Sequence, residues 1–172
     1  MSSVPLLTRQ GGLAMFSLRL VHLIQDHADR LSERLLTRLR RSGRCGDLLS
    51  SVPPPELQSR TYEIYHHLTD WILNKTESEI KETYLGIGAR RAHQGVPFSQ
   101  FLYAIHMTKQ NLWDYLRQEG LLEPDELIGE MEMLHQMEHF FDRALYFAAL
   151  GYEGAIEGEP VRGGMVETST GH

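Results

Sequence analysis

Two Glu-x-x-His units, Glu63-Ile64-Tyr65-His66 and Glu132-Met133-Leu134-His135, carry the sharpest chemical meaning in this chain. On a helix that spacing sets a carboxylate and an imidazole on one face. Two such units turned inward, with two further glutamates, hold a di-iron or di-manganese pair in helical bundles. Helical phase tests the idea. At about 100° per residue the apolar face of the second expected helix centres on Leu57, Leu68 and Ile72, and Glu63 and His66 point away from it. Glu132 and His135 flank the stripe of Leu127, Leu134 and Leu145 and do not sit within it. His135 and His139 are four apart and share a face that could hold a transition metal, but Gln136 breaks the HExxH pattern. Glu63, His66, Glu132, His135 and His139 therefore define an alternative reading, a metal-binding helical protein with redox or oxygen chemistry. Haem belongs to the same alternative, with His93 and His106 as candidates, although a fold does not imply a cofactor. The main expectation is no metal, no cofactor and no catalytic residue.

Other reaction classes lack their residues. The chain has no GxSxG, no phosphate loop and no Cys–His arrangement with a third member. Gly86 and Gly88 do not make a dinucleotide fingerprint, because no strand precedes them and the third glycine is missing. Each costs a helix about 1 kcal/mol relative to alanine, so they predict close approach of another helix or of a ligand. The single cysteine, Cys45, excludes an internal disulfide. Arg41 and Arg44 beside it would lower its pKa and suit a redox sensor; with no base to pair with it, an idle loop thiol is the plainer reading.

Charge is unevenly spread under the net −6. Arg30, Arg34, Arg38, Arg40, Arg41 and Arg44 face one acid, Glu33, while Arg143 is the one Lys or Arg between Gln118 and Pro160. The basic segment suits phosphate, an anionic surface or an acidic partner. It equally suits a helix C-terminus, where cations oppose the dipole, or docking on the acidic C-terminal half within one chain or across a dimer. No aromatics interleave with the arginines, so no nucleic-acid partner is expected.

The elements that position these groups are all helical. Apolar spacing predicts a first helix from about Leu13 to Arg41, a loop over 43–54, and a second helix from Pro55 or Glu56 to about Asn74. Thr76-Glu77-Ser78-Glu79 reads as a capping box opening a third helix that ends near His93. Gly95 then stops the chain and Pro97 starts a fourth helix, to about Glu119. Glu123-Pro124 opens a fifth, buried through Leu127, Met131, Leu134, Phe141, Leu145 and Ala148. Nothing alternates with period two, so the fold class is all-α, a five-helix bundle or globin-like packing without a sheet. Residues 1–12 read as a disordered start, 13–151 as one helical domain and 152–172 as a flexible tail. No run reaches the roughly 18 apolar residues of a membrane span, and the start lacks the charged opening and sustained apolar core of a signal peptide. A cytoplasmic protein with no membrane partner is the expectation.

The central corner carries a family resemblance. Leu85, Gly86, Arg90, Arg91, Ala92, Gln94, Gly95, Val96, Pro97 and Phe98, then Ala104 and Leu112-Trp113-Asp114-Tyr115, resemble the N-terminal helical domain of RsbR/RsbRD-type regulators, modules of bacterial stressosomes and sensor kinases. His27-Ala28-Asp29 with Leu35 and Leu39 resembles the family's first helix. The resemblance implies a globin-like or bundle-like fold without haem, a homodimer, and a sensory or regulatory role exercised on a downstream kinase or antagonist. An effector domain often follows such a module; here the chain is either a stand-alone member or part of a longer protein. Small-ligand sensing would fall to Tyr84, Arg90, Arg91, His106, Lys109 and Trp113 if they converge on a cavity. Large residues beyond what one small bundle buries, among them Trp71 and Tyr146, point to a second interface, for which Phe140, Phe141, Ala144 and Phe147 are the candidates.

Overall fold

The computed structural model describes residues 19–119 and 124–158. The expected disordered start, the beginning of the first helix and all of the expected tail beyond 158 lie outside them. The described residues form eight helices and no strand, so the all-α reading holds. They are α1 (residues 19–26), α2 (Ala28–Ser42), α3 (Gly46–Ser51), α4 (Pro54–His66), α5 (Leu68–Leu73), α6 (Glu77–His93), α7 (Phe98–Gln118) and α8 (Pro124–Glu157).

Local signals set the central corner. The Thr76 hydroxyl accepts from Glu79 N–H at 3.3 Å and the Glu79 carboxylate accepts from Thr76 N–H at 2.8 Å, the reciprocal pair of a capping box. At the other end of α6, Gly95 takes φ 71°. There Gly95 N–H reaches Ala92 O at 3.0 Å and Val96 N–H reaches Arg91 O at 3.1 Å, which is a Schellman closure. Val96 is fully buried behind it.

Four elements depart from the expected boundaries, three of them at a contact between distant segments. The single first helix is interrupted at His27 (φ −107°, ψ 16°), whose ring nitrogen Nδ1 lies 2.9 Å from Leu23 O. The expected second helix divides at His67 into α4 and α5; Gln25 of α1 donates to the freed His66 carbonyl at 3.0 Å. Part of the expected 43–54 loop is α3. Gln100 of α7 caps it, its Oε1 accepting from Asp47 and Leu48 N–H at 3.0 and 3.1 Å while its Nε2 donates to Asp47 Oδ2 at 2.7 Å. The last helix runs to Glu157, so residues 152–157 are helical where a flexible tail was expected. Tyr152 is buried there and its hydroxyl donates to Val96 O at 2.5 Å.

α2 packs on α4 and α7, α7 also touches α8, and the broadest contact joins α6 to α8. A Cβ placed on Gly88 of α6 would run into the Ala148 carbonyl and approach Tyr152 N to 2.9 Å; one on Gly151 of α8 would run into the Leu85 carbonyl. The two backbones therefore touch directly, which only glycine permits. Gly88 meets the expectation of a close helix approach. Gly86, with nothing within 4 Å of such a Cβ, does not.

The expected interface residues turn inward instead. Phe140, Phe141, Ala144 and Phe147 are all buried within one chain, and Trp71, Tyr84 and Phe140 form a ring cluster with centroids 5.9 to 6.1 Å apart. α8 is broadly apolar because it fills the core between α5, α6 and α7, and this set cannot also face a second molecule. Met131, placed in the buried stripe by its spacing, is 59 % exposed.

Candidate functional site

α2, α4, α6 and α7 border a half-open cavity of about 130 Å³ with a mostly apolar wall. Leu35 and Leu39 of α2, Leu57 and Ile64 of α4, Trp71 of α5, Ile87 of α6 and Phe101 and Ile105 of α7 supply most of it. Its few polar groups come from α4, α6 and α7: Arg60, Thr61 and Glu63; Thr83, Tyr84 and Arg91; and Thr108. Most of these are already engaged. Thr61 Oγ1 lies 2.6 Å from Ser32 Oγ and donates to Gln58 O at 3.0 Å. Thr108 donates to Ala104 O at 2.8 Å, and Arg60 pairs with Glu63 at 3.2 Å where both are half-exposed. Thr83 and Tyr84 are the exceptions, and Tyr84 is the more buried of the two. It is 8 % exposed, and its hydroxyl has no hydrogen-bond partner among the described residues. Burial pushes that phenol well above its ordinary pKa, with the nearby Arg60 charge opposing.

One end of the cavity is closed by a charge clamp. Glu56, in the first turn of α4, accepts from Arg90 Nε and Nη2 at 2.7 Å each, from Arg91 Nη1 at 2.7 Å and from Gln94 Nε2 at 3.2 Å. Arg91 is 4 % exposed and also donates to Gln94 Oε1 at 2.7 Å. The bidentate Arg90 is the main reason that the Glu56 carboxyl is pulled down to about 2; burial opposes, and Arg91 adds to the pull. The clamp ties α4 to α6 and leaves no free cation on the cavity wall at that end.

The six expected ligand residues do not converge. Tyr84 and Arg91 line the cavity, and Arg90 lies in the clamp behind it. Lys109 and Trp113 belong to a separate seam between α7 and α8. Lys109 pairs there with Glu138 and, at 3.5 Å, with Asp142, while Trp113 Nε1 donates to Glu138 Oε1 at 2.6 Å. Their partners lie on α8, which the helical period of α7 alone could not reveal. His106 is exposed.

The metal alternative finds no assembled ligand set. Glu63 accepts from Ser59 and Arg60, His66 Nδ1 lies 3.2 Å from the Tyr62 hydroxyl, and Glu132 accepts from Gln136. The His135 and His139 rings are 5.9 Å apart. Among the described residues no three His, Cys, Asp or Glu side chains gather as a metal site. His93 and His106, the haem candidates, are both exposed. Cys45 is fully buried, and burial pushes its thiol up, against the expectation that its arginine neighbours lower it. Arg44 turns away onto the Tyr103 ring. Of the basic segment, Arg34 donates to Gln118 at 2.7 Å and Arg38 pairs with Asp114 at 2.9 Å, so its contacts within the chain fall on α7 and not on the acidic α8.

Glu56 and Gln100 escaped the sequence reading. Glu56 reads as an ordinary acid in a first helical turn, and the one signal for its role is that Arg90, Arg91 and Gln94 share a helix with no local acid to pair with.

Over residues 29–158 the chain matches the family described as the RsbT co-antagonist protein rsbRD N-terminal domain, and it belongs to that family. These are regulatory, stressosome-type domains that work with partner proteins. The comparisons with curated proteins and with solved structures gave no match. No helix among the described residues is long and apolar enough to cross a membrane.

Proposed function

We propose that this domain is a non-catalytic sensory module of the cytoplasm that acts as a homodimer and passes a change in helix packing to a downstream kinase or antagonist. The observation that carries the reading is the position of α6. Tyr84 and Arg91, which line the cavity, are four and three residues from Gly88 and share its buried face, and Gly88 is locked against the backbone of α8. Close-packed backbones do not deform continuously, so a displacement of α6 at the cavity is passed to α8.

The outer side of α8 is the surface on which such a change would be read. Met131, Tyr146 and Ile156 are 56 to 60 % exposed, and on a helical wheel they fall within about 80° of one another. Leu150, 39 % exposed, borders them. This stripe replaces Phe140, Phe141, Ala144 and Phe147 as the two-fold interface. Sedimentation equilibrium of the full chain should return twice the chain mass, falling to one chain in Tyr146→Glu. A wild-type mass of one chain at all concentrations overturns the dimer. Metal analysis and an absorption spectrum of untagged protein test the rest: a stoichiometric transition metal or a Soret band overturns the non-catalytic reading.

A further inference from the structure

We propose that the cavity between α4, α6 and α7 is a binding site for a compact, uncharged molecule, a small alicyclic or aromatic ketone or alcohol, whose oxygen accepts a hydrogen bond from the Tyr84 hydroxyl. This deepens the sensory reading above and rests on it only for what binding causes, not for the binding itself.

Size, polarity and charge each narrow the class. The volume, about 130 Å³, is on the scale of a cavity of roughly 150 Å³ that takes up benzene, although this one is half-open. It fits a ring with one substituent. The wall is hydrophobic, so the body of the ligand must be too. Thr61 and Thr108 donate to backbone carbonyls and Arg91 to Glu56 and Gln94, which leaves the Thr83 and Tyr84 hydroxyls as the donors at the wall without a partner among the described residues, Tyr84 being the more buried. The Tyr84 hydroxyl is not among the buried polar atoms that lack a partner, so a ligand oxygen would take the place of water there. The two cations at the wall are each matched by a carboxylate, Arg60 by Glu63 and Arg91 by Glu56. An anionic head would find no free counter-charge and would lose its hydration, so the acceptor is neutral.

The test is a methyl and amide NMR titration of the full chain with three probes of similar size: cyclohexanone, toluene and benzoate. The expected result is saturable shifts at Leu35, Ile64, Ile87 and Ile105, with cyclohexanone bound most tightly and benzoate least. Tyr84→Phe should weaken cyclohexanone about tenfold, the worth of one neutral hydrogen bond, and leave toluene unchanged. Ala104→Leu, which fills the cavity from α7, should abolish all three. Absence of shifts at these positions up to about 10 mM, benzoate binding as tightly as cyclohexanone, or equal weakening of toluene and cyclohexanone in Tyr84→Phe each overturns the proposal. Cyclohexanone binding that leaves the mass and partner contacts of the chain unchanged supports the site and overturns the relay.

Discussion

Alanine at Gly88 should destabilise the domain, while alanine at Gly86, two residues earlier on the same helix, should stabilise it. At Gly86 a methyl group meets nothing within 4 Å, so the substitution gains helix propensity worth about 1 kcal/mol. At Gly88 the same gain applies, but the methyl falls inside the Ala148 carbonyl and within 2.9 Å of Tyr152 N. Neither obstacle is a side chain that can rotate away. α6 and α8 must part by the better part of an ångström along their contact, which loosens the packing around Ala144, Ala148 and Tyr152, all buried. Overpacking of a rigid core costs about 1–3 kcal/mol, and a backbone obstacle belongs at the upper end. The net is a loss of about 2 kcal/mol for Gly88→Ala against a gain of about 1 kcal/mol for Gly86→Ala. Urea unfolding followed by circular dichroism reads both as shifts in midpoint at an unchanged slope. Midpoints that move the same way in the two variants, or a Gly88→Ala protein as stable as the parent, would refute direct backbone contact as the basis of the α6–α8 packing.

Three further outcomes follow from the geometry. The Glu56 carboxyl is held near 2 against an ordinary 4.5, so the clamp stabilises the fold above about pH 4.5 and loses that contribution as pH falls toward 2; with solvent screening, Glu56→Gln should cost about 1 kcal/mol at pH 7, with the gap to the parent closing on acidification, as urea midpoints across pH will report. Gln100→Ala removes the cap from α3 and should cost about 1 kcal/mol, with amide exchange accelerating at Asp47 and Leu48 and not in α6. Cys45, buried with a raised thiol pKa, should react with a thiol reagent at the rate of local or global opening, and a burst of modification in native buffer would contradict its burial.

The features legible in the sequence are those whose determinants lie within a few residues of each other. Thr76 and Glu79 encode the start of α6, and Gly95 with Pro97 encodes the corner, because the groups that bond there are neighbours in the chain. Apart from the local break at His27, the departures involve partners far apart in sequence. α3 is capped from Gln100, 53 residues away from Asp47, and the α4–α5 break is bridged from Gln25, 41 residues before His66. Gly86 and Gly88 look alike as residues, and only the course of α8 distinguishes them. Of the candidate site, Tyr84 and Arg91 could be picked out, yet the acid that organises Arg91 sits on another helix. Lys109 and Trp113 read as cavity groups because α7 alone does not reveal which neighbour covers that face.

The crossing of α6 and α8 lies near one end of a very long rod. α8 has 34 residues, about 50 Å at 1.5 Å per residue, and its fulcrum at Ala148 and Gly151 stands some 35 Å from Pro124. A tilt of only three degrees about that point would swing the far end by about 2 Å. On the proposed reading, a ligand too small to reshape the domain would still produce a displacement at the far end of α8.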